Sequence, residues 1–341
     1  MLAIGAAGAA GFIYRSEIAN TLAVSRDPKA QPSPTSSLQP SPSPSPSPSP
    51  SPTPSPSRGR LVIHGTGDVS LDPNYIPNFR IHGYRYAWTG LKGMFRRDDL
   101  TVINLECAVS NLGSPVDKEF NFRCDPKALP VAKKFGVDVA NLANNHGGDY
   151  GKDALLDSRR NLREADILPV GVGRNHRAAT KPAIIEIDGW TVAVLGFGGV
   201  VPEPGWIAGP DHPGMADGND IGKMAAAIRA ADKVADLVFV TIHWGKELDT
   251  QPRQDDVERA HAMIRAGADG IFGHHSHRLN PLTRYRGRPI AWGLGNFVWP
   301  NHSAAGNITA VARFVVRPDG KVNGRLIGAH IEHSGHPVLT G

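Results

Sequence analysis

The chain has 341 residues and a formal net charge of +5, which on its face suits a polyanionic partner. Residues 1–60 hold five basic and two acidic side chains, so the tail carries +3 of that charge and the remainder only +2. A near-neutral remainder with no basic run offers no face from which nucleic acid would release counterions, which excludes nucleic-acid binding.

Met1–Tyr14 is an uncharged stretch of Ala, Gly, Leu, Ile and Phe that stops at Arg15 and Glu17. As a helix it would reach roughly 21 Å, short of the roughly 30 Å hydrocarbon core, and it lacks the basic leader of a secretory signal. Residues 1–30 are therefore read as a signal or membrane anchor whose true start lies upstream of Met1, with a short tail of no targeting role as the alternative. From Gln31 to Ser57 the chain alternates Ser and Pro. Such a run, with Leu38 its one aliphatic side chain besides proline, has too little apolar surface to offset the entropy of ordering and favours polyproline II, so 31–59 is expected to be a disordered, extended linker. Apolar segment, charged break and stalk follow the order of a protein held outside the cytoplasm, membrane-anchored or secreted.

Residues 60–341 read as one domain in which short β-branched runs alternate with helical stretches, the pattern of a layered α/β fold. Strands are expected at Leu61–Thr66, Thr101–Leu105, Val137–Leu142, Ala183–Ile187, Thr191–Gly196, Leu237–Ile242, Gly270–Phe272, Pro289–Trp292 and Ala310–Val316. Asp188-Gly189 is a two-residue hairpin signal and Asp319-Gly320 a second turn. Apolar spacing predicts helices over Ala154–Ala165, Ile221–Ala235 and Asp255–Ala266. Cys107 and Cys124 lack zinc-type spacing and are too few for a disulfide scaffold. They would pair in an oxidising compartment and be small buried residues in a reducing one.

Five strands end in side chains able to bind metal or move protons. These are Asp68, Glu106, the run Asn144-Asn145-His146, His243, and the run His274-His275-Ser276-His277. Singly, each has an ordinary explanation: a turn Asp, a surface Glu, turn-forming Asn, a satisfied core His. Ligands of open α/β sheets bind beyond the carboxyl ends of strands, so all five sets are expected to converge on one edge. Residues two apart on a strand or extended turn face the same side, which lets His275 and His277 serve one metal centre. Carboxylate, amide oxygen and imidazole together suit Mn²⁺, Zn²⁺ or Fe²⁺ rather than a thiolate site. A pair of such ions, roughly 3.5–4 Å apart, would bind a phosphate-like group and activate water. Glu106 is the candidate bridge between them and His146 the candidate acid for the leaving oxygen.

The strings GDVSLD at Gly67–Asp72, NLE at Asn104–Glu106, LANNHGGDYG at Leu142–Gly151, HWGKE at His243–Glu247, GHHSH at Gly273–His277 and GLGNF at Gly293–Phe297 resemble the motifs of the CapA family. Those are bacterial capsule and poly-γ-glutamate biosynthesis proteins related to calcineurin-like metallophosphoesterases. The resemblance runs in order over residues 61–300 and implies a four-layer α/β/β/α sandwich with two divalent metal ions. Carried over by position, Asp68 is the first metal aspartate, Glu106 the bridging acid, Asn145 the amide ligand and His146 the catalytic histidine. His243, His275 and His277 take the places of the late histidine ligands, and Asp149 is a candidate to orient His146.

This sequence departs from the superfamily in three places. Ser70 stands where an Asp-x-His motif would supply an imidazole, Glu106 replaces the usual bridging Asp, and Gly147-Gly148-Asp149 follows His146 in place of an adjacent acid. Either His274 or His275 fits the inner ligand position, and His275 preserves His-x-His spacing. Glu247 is read as a neighbour of the site, a substrate contact or a solvent-facing acid, and Asn296 as closing the site or forming a Gly-rich turn. Trp244, Trp292 and Trp299 are expected to pack the core. The function implied is a metal-dependent hydrolase of phosphoester or amide bonds in a cell-envelope substrate such as an anionic polymer. The alternative is a non-hydrolytic accessory subunit of a membrane polymer synthesis or export machine. A binding module for an anionic polymer would instead need a local basic patch, for which Arg123, Lys127 and Arg278 are the candidates.

Overall fold

The strand Leu61–Val69 is buried along its whole length, which requires cover on both of its faces. The computed structural model describes residues 57–340. The apolar segment and nearly all of the Ser-Pro run lie outside these residues. Leu61–Val69 sits within an eight-stranded sheet ordered His336–Leu339, Val322–His333, Ile308–Val316, Leu61–Val69, Leu100–Leu105, Val139–Asn141, Leu168–Val170. Asn296–Val298 pairs in parallel with the end of the first strand, placing Asn296 opposite Asp68. A second sheet of six strands runs Leu282–Tyr285, Arg288–Ala291, Gly270–His274, Leu237–His243, Trp190–Gly198, Ala183–Ile187.

The two sheets pack face to face through Leu61, Ile63, Val102 and Val139 on one side and Val192, Phe239 and Phe272 on the other. A Cβ at Gly65 would stand 2.2 Å from the Phe272 ring, so glycine is what lets that ring lie across the first strand. The outer face of the eight-stranded sheet is covered by Ala128–Lys134 and Gly151–Glu164, through Leu129, Ala132, Leu155 and Leu162. Ile221–Asp232 and Gln254–Arg265 cover the outer face of the other sheet, through Met224, Ile228 and Met263. The architecture is thus the expected four-layer α/β/β/α sandwich. Each layer follows from a chain that alternates doubly buried strands with one-sided helices.

Local chemistry explains several boundaries. Ile221–Asp232 starts where Asp220 accepts a hydrogen bond from the Lys223 amide at 2.9 Å, an N-cap. Asp188 and Gly189 adopt φ of 46° and 78°, as a two-residue hairpin turn requires. Ahead of Arg60, the Trp190 indole donates to the Gly59 carbonyl at 2.8 Å, and the Arg58 guanidinium lies 4.4 Å from the same ring. Cys107 and Cys124, both fully buried, form a disulfide. The expected strand ending at Val316 is followed by two strands the sequence pattern did not suggest, Val322–His333 and His336–Leu339. They form the sheet's edge, where exposed Asn323, Arg325, Glu332 and His333 blur the alternation. Among the described residues, no helix is long and apolar enough to cross a membrane.

Candidate metal centre

All five strand-end sets meet at one rim. Asp68 lies at the end of Leu61–Val69, Glu106 just past Leu100–Leu105, and Asn144–His146 past Val139–Asn141. His243 closes Leu237–His243, and the histidine run leaves Gly270–His274. Two residue groups there could each hold a cation: Asp68, Glu106 and His277, and Glu106, His243 and His275. In each, the ligating atoms lie within 4.8 Å of one another. Glu106 belongs to both. Asn145 Oδ1 is 2.8 Å from His243 Nε2, which places the predicted amide oxygen beside the second group.

The histidine run reaches the site by a route other than strand alternation. Regular strand ends at His274, and His275 and His277 both take left-handed backbone, φ 88° and 53°. A sharp turn, rather than an extended face, therefore brings the two rings to centroids 5.9 Å apart. Within this turn the His275 amide donates to the Asp68 carboxylate at 3.3 Å. His277 Nδ1 lies 3.2 Å from Asp68 Oδ2 and 2.7 Å from Asn296 Oδ1. His274 Nε2 lies 2.8 Å from Thr241 Oγ1 and its unpartnered Nδ1 4.0 Å from Asp68 Oδ1, while His275 is the one of the pair whose ring falls in a cation-binding group.

Gly67 makes this packing possible. A Cβ there would stand 2.0 Å from the Gly295 carbonyl oxygen, the atom that accepts the Asp68 amide at 2.9 Å. The Gly-Leu-Gly-Asn run is thereby pressed against the first motif, and Asn296 reaches His277.

Burial and mutual repulsion set the charges. Burial and the neighbouring Asp68 charge push the Glu106 carboxyl well above the ordinary range. Burial also opposes ionisation of Asp68, but contact with His277 and the adjoining histidines outweighs it and holds Asp68 below its usual value. Burial, then repulsion from His275 and His274, drives His243 well below the normal imidazole range. Burial pushes His275 down to about 4. Neutral imidazoles beside carboxylates keep their lone pairs available, as metal binding requires. Glu106 Oε1 and His275 Nδ1 are buried without any hydrogen-bond partner. Leaving such groups unmatched costs about 1–3 kcal/mol each, more when charged, so the donor set fits a divalent cation.

His146 stands beside this cluster, its Nε2 4.0 Å from Glu106 Oε1. Its Nδ1 is 2.7 Å from Asp149 Oδ2, and the Phe122 ring lies 4.2 Å from its own. Asp149 in turn accepts from the Phe122 amide at 2.8 Å and from Lys118 Nζ at 2.6 Å. Burial lowers the His146 pKa against the opposing pull of Asp149.

Sequence reasoning gave no role to Asn104, quoted only as part of the NLE string, and did not single out Lys118. The Asn104 amide nitrogen lies 2.9 Å from Asp68 Oδ1 and 3.1 Å from His243 Nδ1. Its signal was period two, since it precedes Glu106 by two residues on the same strand face. Nothing in the sequence pointed to Lys118. Trp244 and Trp292 stack on each other, 5.6 Å between centroids, with the Trp244 indole hydrogen-bonded to the Trp292 carbonyl. Trp299 is also buried, but it packs 4.9 Å from the His277 ring and forms a wall with Tyr75 and Phe122. Of the candidate basic patch, Arg123 is committed to the Leu112 and Gly113 carbonyls and to the Tyr150 ring, and Arg278 to the His277 carbonyl.

The fold and the sequence have counterparts among known proteins. A solved structure described as a novel phosphatase of Mycoplasma pneumoniae superposes with a TM-score of 0.51 at 15% identity, covering 80% of this chain and 94% of that one. At that identity the likeness shows the fold alone. The chain is 33% identical over 230 residues to the PGA biosynthesis protein CapA of Bacillus subtilis (strain 168), covering 67% of this chain and 60% of that protein. It is 29% identical over 288 residues to the capsule biosynthesis protein CapA of Bacillus anthracis, covering 82% and 70%. The match thus spans less than two thirds of the Bacillus subtilis protein's length. The family model for the bacterial capsule synthesis protein PGA_cap matches residues 62–301, which takes in every motif described above. The chain belongs to the PGA_cap family of bacterial capsule synthesis proteins.

Proposed function

We propose that the chain is a metal-dependent hydrolase of the phosphoesterase kind, acting on a phosphoester or anionic polymer of the cell envelope during capsule-type polymer synthesis. The observation that carries this reading is Glu106, a buried carboxylate shared by two cation-binding groups, with one oxygen left without a partner. A pair of divalent ions, Mn²⁺, Zn²⁺ or Fe²⁺, would neutralise substrate oxygens and lower the pKa of water. Asp68, Asn145, His243, His275 and His277 would hold them, with Glu106 between.

The chain's own residues supply the rest. Asp149 holds His146 Nδ1 so that Nε2 faces the centre, and when the ring is doubly protonated its Nε2–H can pass to the leaving oxygen. Trp299, Tyr75 and Phe122 close one side against water. The buried disulfide supports a location outside the cytoplasm, since such bonds persist in oxidising compartments. The apolar segment followed by a Ser-Pro run in the sequence supports tethering to the envelope.

A hydrolysis screen of the metal-loaded chain against phosphoesters and γ-glutamyl polymers tests the reading. Metal-dependent turnover that falls sharply in His146→Ala supports it. A second reading, a non-hydrolytic accessory subunit of a polymer-synthesis machine, is favoured by Ser70, which stands where an imidazole would complete one metal position. Full metal loading with no turnover on any substrate would select it.

A further inference from the structure

If Ser70 leaves one metal position short of a ligand, the rim should hold a substitute. Glu247 is the exposed residue best placed. Its carboxylate, His275 and His277 form a third group whose ligating atoms lie within 4.8 Å of one another. This group shares His277 with the Asp68–Glu106 group and His275 with the His243 group, so Glu247 stands on the solvent side of both.

The backbone fixes it there. Gly245 and Leu248 both take left-handed conformations, φ 83° and 68°, folding the chain sharply on either side of Glu247. The Leu248 amide then donates to the Ser276 carbonyl at 2.7 Å, and the Asn280 side chain donates to the Asp249 carbonyl at 2.9 Å. These bonds clip the Glu247 loop to the His275–His277 turn. Leu248, His275 and His277 are therefore three non-glycine residues in left-handed backbone within two facing turns, and strain of that kind collects where a site needs it. His275, 5% exposed, leaves its Nδ1 without a hydrogen-bond partner, and one of its ring nitrogens lies within 4.8 Å of a Glu247 carboxylate oxygen.

We propose that Glu247 is a metal ligand, supplying from the loop after His243 the donor that the Asp68-x-Ser70 motif lacks. The inference rests on the metal reading above. An exposed carboxylate in this role leaves one ion open to solvent and substrate while the other stays enclosed by His243 and Asn145.

The test uses the whole chain, stripped by chelator and equilibrated with Mn²⁺ alone, with bound metal measured by dialysis and elemental analysis. Wild type should bind two ions. Glu247→Gln should weaken one of them by roughly 10- to 100-fold or more, at least the loss that removal of an outer partner brings, and leave the other unchanged. Because Glu247 is exposed, the metal-free variant should melt at the wild-type temperature, which separates a lost ligand from a damaged fold. Two ions bound at wild-type affinity in Glu247→Gln would overturn the inference and leave the metal reading intact. No ion bound by wild type would overturn both.

Discussion

Asp149 holds His146 with one carboxylate oxygen, 2.7 Å from Nδ1, while its other oxygen accepts from Lys118 at 2.6 Å. A carboxylate so placed fixes the imidazole's tautomer and aims Nε2 at the cluster around Glu106. Positioned proton transfer of this kind contributes roughly 10²–10⁴-fold to rate. His146→Ala should cost kcat by that order with little change in bound metal. Asp149→Asn, which keeps the shape but not the charge, should lose less, and Lys118→Met less again. Steady-state kinetics alongside metal analysis checks the ordering.

Chelation should also destabilise the fold. A ligand that binds only the native state adds about 2.7 kcal/mol at a hundredfold excess over its dissociation constant. Adding Mn²⁺ to the stripped chain should raise its melting temperature, and the rise should vanish in Glu106→Gln, which removes the carboxylate charge shared by the Asp68 and His243 groups. Thermal melts of both forms, with and without the ion, read this directly.

A pH effect is expected far from the centre, at Asp269. Its carboxyl accepts from the Val238 amide at 2.8 Å and pairs with Arg288 at 3.0 Å, yet burial pushes its pKa up to about 6. A carboxyl raised in the folded state contributes stability that is complete below the unfolded value near 3.8 and is lost as pH climbs through about 6. Urea unfolding of Asp269→Asn, compared with wild type at pH 4 and pH 7, should show the variant gaining relative stability by about 2–3 kcal/mol over that span. A constant difference would contradict the assignment.

Reduction of Cys107–Cys124, 17 residues apart, should lower stability by about 3 kcal/mol, because closing a loop of that size restricts the unfolded chain. Denaturant midpoints with and without reductant, and for Cys107→Ala/Cys124→Ala, measure it.

The space between the sheets is equally specific. Gly65→Ala would drive a Cβ into the Phe272 ring and should cost about 1–3 kcal/mol, as overpacking does. Trimming the ring in Gly65→Ala/Phe272→Leu should recover part of that loss, a non-additivity that a double-mutant cycle detects.

The layered fold was legible because doubly buried strands such as Leu237–His243 read as nearly continuous apolar runs, and helices such as Ile221–Asp232 carry one apolar face at helical spacing. The strand-end residues of the candidate centre were legible for the same reason, since polar side chains directly after such runs have to gather at one rim. Asn104 was hidden inside a strand, where one polar residue among apolar neighbours looks like an interruption. Lys118 lies in an irregular loop, and only tertiary folding brings it to Asp149. The rings of His275 and His277 lie near each other, but through a left-handed turn that depends on contacts with Asp68 and Asn296 no local pattern encodes.

The proposed cation-binding centre draws its ligands from distant strand ends around Glu106. Anomalous diffraction from crystals of the chain soaked in Mn²⁺ tests most directly whether cations bind there. Two peaks within bonding distance of the Glu106 carboxylate, one toward Asp68 and one toward His243, are the expected result. A saturating soak that leaves no peak beside Glu106 would contradict the account.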